Sequence, residues 1–123
     1  MGRREGTILV VDDDPDIRDA LRDTLQDAGY AVAEVTGGVE ALTWLRSHPA
    51  PALILLDWNM TPMNAPQFML EFCREKAFSH VPVVLITADI HATQKVRSGP
   101  YRGYISKPVS LDALFDVLSR LAG

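Results

Sequence analysis

The sequence predicts an α/β fold: a doubly wound, five-stranded parallel sheet in the order 2-1-3-4-5. Three observations carry this reading. First, short apolar runs recur without the alternation of half-exposed strands, as in Ile8-Leu9-Val10-Val11, Leu53-Ile54-Leu55-Leu56 and Val83-Val84-Leu85-Ile86. Such runs suit strands buried on both faces, as in parallel sheets. Second, segments of helical period separate them, so strand and helix alternate. Third, the runs end in reactive side chains. Asp12 and Asp13 follow the first, Asp57 the second and Thr87 the third, while Lys107 follows Tyr104-Ile105-Ser106. Right-handed crossovers and a ligand site outside the carboxyl ends of the strands favour this order, with the site at its switch point.

Taken in order, residues 7–12 form the first strand. Asp14-Pro15 reads as an N-cap followed by Pro at the first helical position. Ile17, Leu21, Leu25 and Ala28 mark the buried stripe of the first helix, and Gly29 stops it. Residues 30–35 give the second strand, and Val39, Leu42 and Leu45 carry the second helix. Residues 52–56 give the third strand. A loop over 57–64 leads to a third helix that turns Phe68, Met69 and Phe72 inward. Residues 81–86 give the fourth strand. Between 89 and 99 only Ile90, Ala92 and Val96 keep helical spacing, and Gly99-Pro100 breaks it, so the fourth helix is expected to be short or irregular. Residues 102–106 give the fifth strand. Ser110 caps a last helix with the stripe Leu111, Leu114, Phe115, Leu118 and Leu121.

A chain of 123 residues fits one domain over 7–123 behind a flexible arm over 1–6. The formal net charge of -4 argues against direct nucleic-acid binding. No apolar stretch approaches the ~20 residues needed to span a bilayer, so no membrane role is expected. The first residues do not read as a secretory signal. Cys73 is the one cysteine, which excludes an internal disulfide and fits a reducing cytoplasm. Its apolar helical setting predicts a place in the core.

In the predicted topology Asp12, Asp13 and Asp57 meet. At about 5 Å and an effective dielectric near 20, each ionised pair repels by roughly 3 kcal/mol. Such a cluster holds protons at raised pKa or holds a cation. All-oxygen donors that leave room for water suit Mg²⁺. With the charge screened, Asp57 can act as a nucleophile toward phosphorus. Lys107 then balances the acyl phosphate, and the Thr87 hydroxyl donates to one of its oxygens. Each residue alone has an ordinary reading as cap, turn or strand end, and Asp14 is better explained as a cap. The joint placement at four strand ends points to a site.

These pieces closely resemble the receiver domain of two-component response regulators. The matching segments are Ile8-Leu9-Val10-Val11-Asp12-Asp13-Asp14-Pro15, Leu55-Leu56-Asp57-Trp58-Asn59-Met60, Ile86-Thr87-Ala88 and Gly103-Tyr104-Ile105-Ser106-Lys107-Pro108. The resemblance covers the chain from about Thr7 onward. It implies the flavodoxin-like (βα)5 fold of CheY-like proteins. It also implies a phosphorylation-dependent switch that takes a phosphoryl group from a phosphohistidine. Asp57 matches the phosphoacceptor. Asp12, Asp13 and the backbone carbonyl of Asn59 match the other Mg²⁺ ligands. Thr87 matches the switch hydroxyl, Lys107 the phosphate-pairing lysine and Tyr104 the aromatic that rotates inward. Asn59 and Asp89 match the positions that tune hydrolysis, which implies a short-lived phosphoryl group. The Lys107-Pro108 bond matches one that the family usually holds cis. The implied partners are a sensor histidine kinase or histidine phosphotransfer domain and an unknown downstream protein. That protein reads the face of the fourth helix, fifth strand and fifth helix. The implied location is cytoplasmic, and the only chemistry is the domain's own phosphorylation and dephosphorylation.

The sequence departs from that pattern in three places. Thr61 separates Met60 from Pro62, Ala65 or Pro66 stands where the family has Gly, and the 89–102 stretch is short. The last departure predicts an altered partner surface and argues against dimerisation through that face. Other readings remain open here. One is an interaction module without a switch. Another is a haloacid-dehalogenase-like phosphatase with Asp12 as nucleophile and Asp14 as acid/base. That enzyme also needs a later acidic pair, which the sequence lacks. A flavin site is disfavoured by the acidic first loop.

Overall fold

The computed structural model describes residues 6–89, 91, 94, 96 and 99–122. The elements run β1 (Thr7–Val11), α1 (Pro15–Asp27), β2 (Ala31–Val35), α2 (Gly38–Ser47), β3 (Leu53–Asp57), α3 (Ala65–Phe72), β4 (Val83–Thr87), β5 (Gly103–Ser106) and α4 (Leu111–Leu121). The strands form one parallel sheet in the order β2-β1-β3-β4-β5, as predicted. The predicted fourth helix lies largely outside the described residues. Within it Gln94 and Val96 are helical. Apart from Gly6, the predicted arm also lies outside them.

Successive strand residues point to opposite faces, and helices cover both. Leu9, Val11, Ile54, Leu56, Val83 and Leu85 face α2 and α3, where Leu42, Leu45, Phe68 and Phe72 close the layer. Ile8, Val10, Leu53, Leu55, Val84 and Ile86 face the opposite layer, where α1 and α4 supply Leu21, Leu25, Leu114 and Leu118. β3 and β4 carry no polar side chain until their last residues. This is why β3 and β4 read as unbroken apolar runs.

Local signals set the helix ends. Asp14 caps α1 by accepting from the Asp16 N–H at 2.9 Å. Gly29 takes φ +95°, a conformation that disfavours a Cβ, and ends the segment as predicted. Asn64 and Gln67 form a reciprocal capping box at α3, each side chain bonding the other's backbone N–H at 2.9 Å. Ser110 caps α4 through the Ala113 N–H at 3.1 Å.

Three stripe assignments need correction. Val39, Leu111 and Phe115 are exposed by 49%, 57% and 38%. The helices are rotated relative to the predicted stripes, so Ala41 and Val117 take inward positions instead. Cys73 is also exposed rather than in the core. It is the C-cap residue of α3, one position beyond buried Phe72.

Candidate functional site

The register of the central strands builds the site. Val11 pairs with Leu56, so the next residue of each chain segment, Asp12 and Asp57, meet at the sheet's carboxyl edge. Asp57 and Thr87 are the last residues of β3 and β4 rather than the first of their loops. Thr87 pairs with Ser106, so Lys107 leaves β5 beside it, and its N–H donates to the Thr87 carbonyl at 2.9 Å.

Asp12, Asp57 and Thr87 are the buried polar residues among those described, with 1%, 2% and 2% exposure. Asp13 stands exposed at the rim. One carboxylate oxygen from each of Asp12, Asp13 and Asp57 lies within 4.8 Å of the others. Lys107 Nζ donates to Asp57 Oδ1 at 2.9 Å. Thr87 Oγ1 accepts from the Asp89 N–H at 2.9 Å, which leaves its own proton to donate.

Burial is the main force on Asp12 and lifts its pKa to about 6. The Asp14 N–H bonded to Asp12 Oδ1 opposes this, and the charge of Asp57 adds to it. Burial also works against the charge of Lys107. The hydrogen bond that the lysine donates to Asp57 and the carboxylate charges outweigh this and hold it above its ordinary value.

Asp12 Oδ2 is buried and has no hydrogen-bond partner. A buried carboxylate oxygen without a donor is costly. The same residue contributes an oxygen to the cluster of three carboxylates, so the residues fit a hard, oxygen-seeking cation. Asp14 does not join the cluster, because its side chain is committed to the α1 cap.

The remaining candidates surround this centre. Asn59 and Asp89 are exposed at the rim, and Asp89 Oδ1 accepts from the His91 N–H at 2.8 Å. Tyr104 is 45% exposed on β5. Trp58 is half-buried next to Asp57, and its N–H donates to the Ile86 carbonyl at 3.0 Å. The Lys107–Pro108 peptide is cis, and so is Thr61–Pro62 in the loop where the sequence departs from the expected pattern. Sequence reasoning missed Arg18, whose Nη1 donates to the Asp12 carbonyl at 2.7 Å. On an amphipathic helix it reads as one more charged residue, and only the tertiary structure gives it a partner.

A five-stranded doubly wound parallel sheet with an acidic pocket at its carboxyl edge is the architecture of receiver-type signalling domains. The response regulator receiver domain family matches residues 8–119, and the chain belongs to it. The polar-differentiation response regulator DivK of Brucella ovis is 26% identical over 119 residues, covering 95% of this chain and 96% of DivK. The chemotaxis protein CheY4 of Vibrio cholerae has a crystal structure that superimposes with a TM-score of 0.85 at 28% identity, covering 94% of this chain and 98% of CheY4. The response regulator TrrA of Thermotoga maritima, solved in complex with Mg²⁺-BeF, gives a TM-score of 0.84 at 30% identity, covering 95% and 99%. Membership makes this chain a signalling domain of two-component systems rather than an enzyme with turnover. Among the described residues no helix is long and apolar enough to cross a membrane.

Proposed function

We propose that this domain is a phosphorylation-dependent switch that receives a phosphoryl group on Asp57 from a phosphohistidine. The observation that carries the reading is the cluster of Asp12, Asp13 and Asp57 with Lys107 bonded to Asp57. Mg²⁺ held by Asp12, Asp13, Asp57 and the Asn59 carbonyl would neutralise the carboxylates and the incoming phosphoryl oxygens. The Mg²⁺-BeF complex of TrrA supports that choice of ion.

The chain's own residues supply the rest. An Asp57 oxygen attacks phosphorus, a P–O bond forms as the P–N bond breaks, and the released imidazole takes up a proton. Lys107 stays beside the new acyl phosphate, where it offsets added negative charge. Thr87 is placed to donate its hydroxyl proton to a phosphoryl oxygen. That movement vacates space toward β5, which Tyr104 fills from its exposed position. Phosphorylation thereby biases two arrangements of the face that carries Tyr104. Asn59 and Asp89 orient water at the rim and keep the phosphoryl group short-lived.

The donor reaches Asp57 along an apolar groove of about 350 Å³ between α1 and α4. Ile17, Ala20, Leu21, Pro108 and Val109 line it, and Lys107 marks its end at the site. A helix of a histidine kinase or phosphotransfer domain suits such a groove. Both partners place the domain in the cytoplasm. A downstream protein then reads the Tyr104 face.

Intrinsic Trp fluorescence tests the switch. Mg²⁺ is titrated first, then beryllofluoride or acetyl phosphate is added, with Trp44→Phe to isolate Trp58. A saturable Mg²⁺ response and a second change that Asp57→Asn abolishes are expected. If neither addition gives a response and intact mass shows no phosphoryl adduct, the domain is an interaction module without a switch.

A further inference from the structure

We infer that Arg18 is a positioning residue for the metal-binding turn, orienting Asp13 through the backbone. The inference rests on the proposed Mg²⁺ site. Arg18 lies on α1 and is partly buried, its side chain 17% exposed. Its Nη1 donates to the Asp12 carbonyl at 2.7 Å, and its Nε lies 4.0 Å from Glu34 Oε1 on β2. Glu34 in turn accepts from Arg22 Nη1 at 3.3 Å. The guanidinium therefore spans from the sheet edge to the turn, hydrogen-bonded at the turn and at ion-pair distance from Glu34 at the other end, as its planar fork allows and an ammonium does not.

The contact falls on the atom that matters for Asp13. The Asp12 carbonyl belongs to the peptide plane joining Asp12 to Asp13. That plane is rigid, so fixing its oxygen fixes the direction in which Asp13 leaves. Asp12 itself makes two further bonds. The Asp12 N–H donates to the Val35 carbonyl at 3.2 Å, and the Asp14 N–H donates to Asp12 Oδ1 at 2.9 Å. Neither engages that carbonyl. Asp12 is also buried, whereas Asp13 is exposed and so less restrained by packing. Arg18 supplies what packing does not.

Charge and positioning predict opposite signs here. Removing a cation near a Mg²⁺ site strengthens the field that attracts Mg²⁺, so an electrostatic role makes Arg18→Met bind more tightly. A positioning role makes it bind more weakly, by about tenfold, the usual scale for a residue that orients a metal ligand. The experiment is calorimetric Mg²⁺ titration of the whole chain, with the melting temperature of the metal-free protein recorded alongside. Arg18→Lys keeps the charge and one donor and is expected to fall between Arg18→Met and wild type. It also serves if Arg18→Met does not fold. Arg46→Met removes a charge paired with distant Glu75 and is expected to leave Mg²⁺ affinity near wild type. Affinity unchanged or tighter in Arg18→Met, or unchanged in Arg18→Lys if only that variant folds, overturns the inference and leaves the site intact. A lowered melting temperature with unchanged affinity does the same. Absence of Mg²⁺ binding by wild type overturns the site reading itself, and the inference with it.

Discussion

Lys107 Nζ and Asp57 Oδ1 lie 2.9 Å apart, joining two residues fifty positions apart in the chain. The aspartate side chain is 3% exposed and the lysine's 22%. Because β4 separates β3 from β5, the two meet only at the sheet edge, beyond the last residue of β4. The pair thus depends on the topology and on no local feature of either segment. It supplies the one cation bonded directly to the proposed phosphoacceptor among the described residues.

Removing that cation leaves a buried carboxylate unpaired. Breaking a fully buried pair costs about 3–5 kcal/mol. With the lysine partly in solvent, Lys107→Ala is expected to cost about 2 kcal/mol in the metal-free protein. The double variant Lys107→Ala, Asp57→Asn is expected to recover most of this, because the charge that needed a partner is gone. Urea unfolding of wild type, Lys107→Ala, Asp57→Asn and the double variant at neutral pH measures both. A single variant as stable as wild type would show that water already solvates Asp57.

Asp12 carries a stability cost that depends on pH. Its pKa rises from 3.8 to about 6 on folding, chiefly because it is buried. Between those values the native state holds more protons than the unfolded state, so stability falls as pH rises. Below pH 4 the penalty is absent, and above about pH 6 it is complete. A shift of this size corresponds to at most about 3 kcal/mol. Asp12→Asn is therefore expected to exceed wild type in stability at pH 7 without metal, with the difference vanishing near pH 4. Saturating Mg²⁺ is expected to stabilise wild type more than the variant. Thermal melts across pH, with and without Mg²⁺, read all three effects.

The capping box at α3 adjoins the loop that contains Asn59 and the cis Thr61–Pro62 peptide. Asn64→Ala removes the acceptor for the Gln67 N–H, and is expected to lower stability by about 1 kcal/mol. Asn64→Ser keeps an acceptor and is expected to lose less. If the loop is held through this cap, Asn64→Ala also broadens amide resonances of Asn59 and Met60 in an NMR spectrum. Unchanged resonances there would confine the cap's role to α3.

Most of the sheet was legible because apolar runs in parallel strands report burial directly. Leu53 to Leu56 and Val83 to Ile86 tolerate no other reading of comparable economy. The site followed from the same fact, since Asp57, Thr87 and Lys107 terminate those runs or the short run of β5. Helix faces were harder to read. Val39, Leu111 and Phe115 fit a helical period as well as the residues that are buried, and a rotation of one position separates the two choices. Cys73 failed for a related reason, because a C-cap lies where the stripe ends. The Asn64–Gln67 box was written in the sequence as a cap signature and passed over. Arg18 was not readable at all. Its partner is a backbone carbonyl, and no residue type announces that contact.

In the proposed switch Thr87 links the acceptor to the surface, and its substitution would separate chemistry from signalling. Its hydroxyl is buried, accepts from the Asp89 N–H, and has its proton free for a phosphoryl oxygen. Thr87→Ala removes no ligand of the acidic cluster and leaves Lys107 on Asp57. Mg²⁺ binding and the uptake of beryllofluoride are therefore expected to stay close to wild type. Movement of Tyr104 is expected to be lost, because nothing draws residue 87 inward to clear space. Fluorotyrosine labelling reads this by fluorine NMR. Buried Tyr30 and Tyr101 serve as internal references, while Tyr104 starts 45% exposed. In wild type, beryllofluoride is expected to shift the Tyr104 signal and leave the other two in place. Thr87→Ser keeps the hydroxyl and is expected to retain the shift, and Thr87→Ala to lose it. A shift that survives in Thr87→Ala would show that Tyr104 responds to Asp57 by another route, with Lys107 and the β5 backbone as the remaining connection.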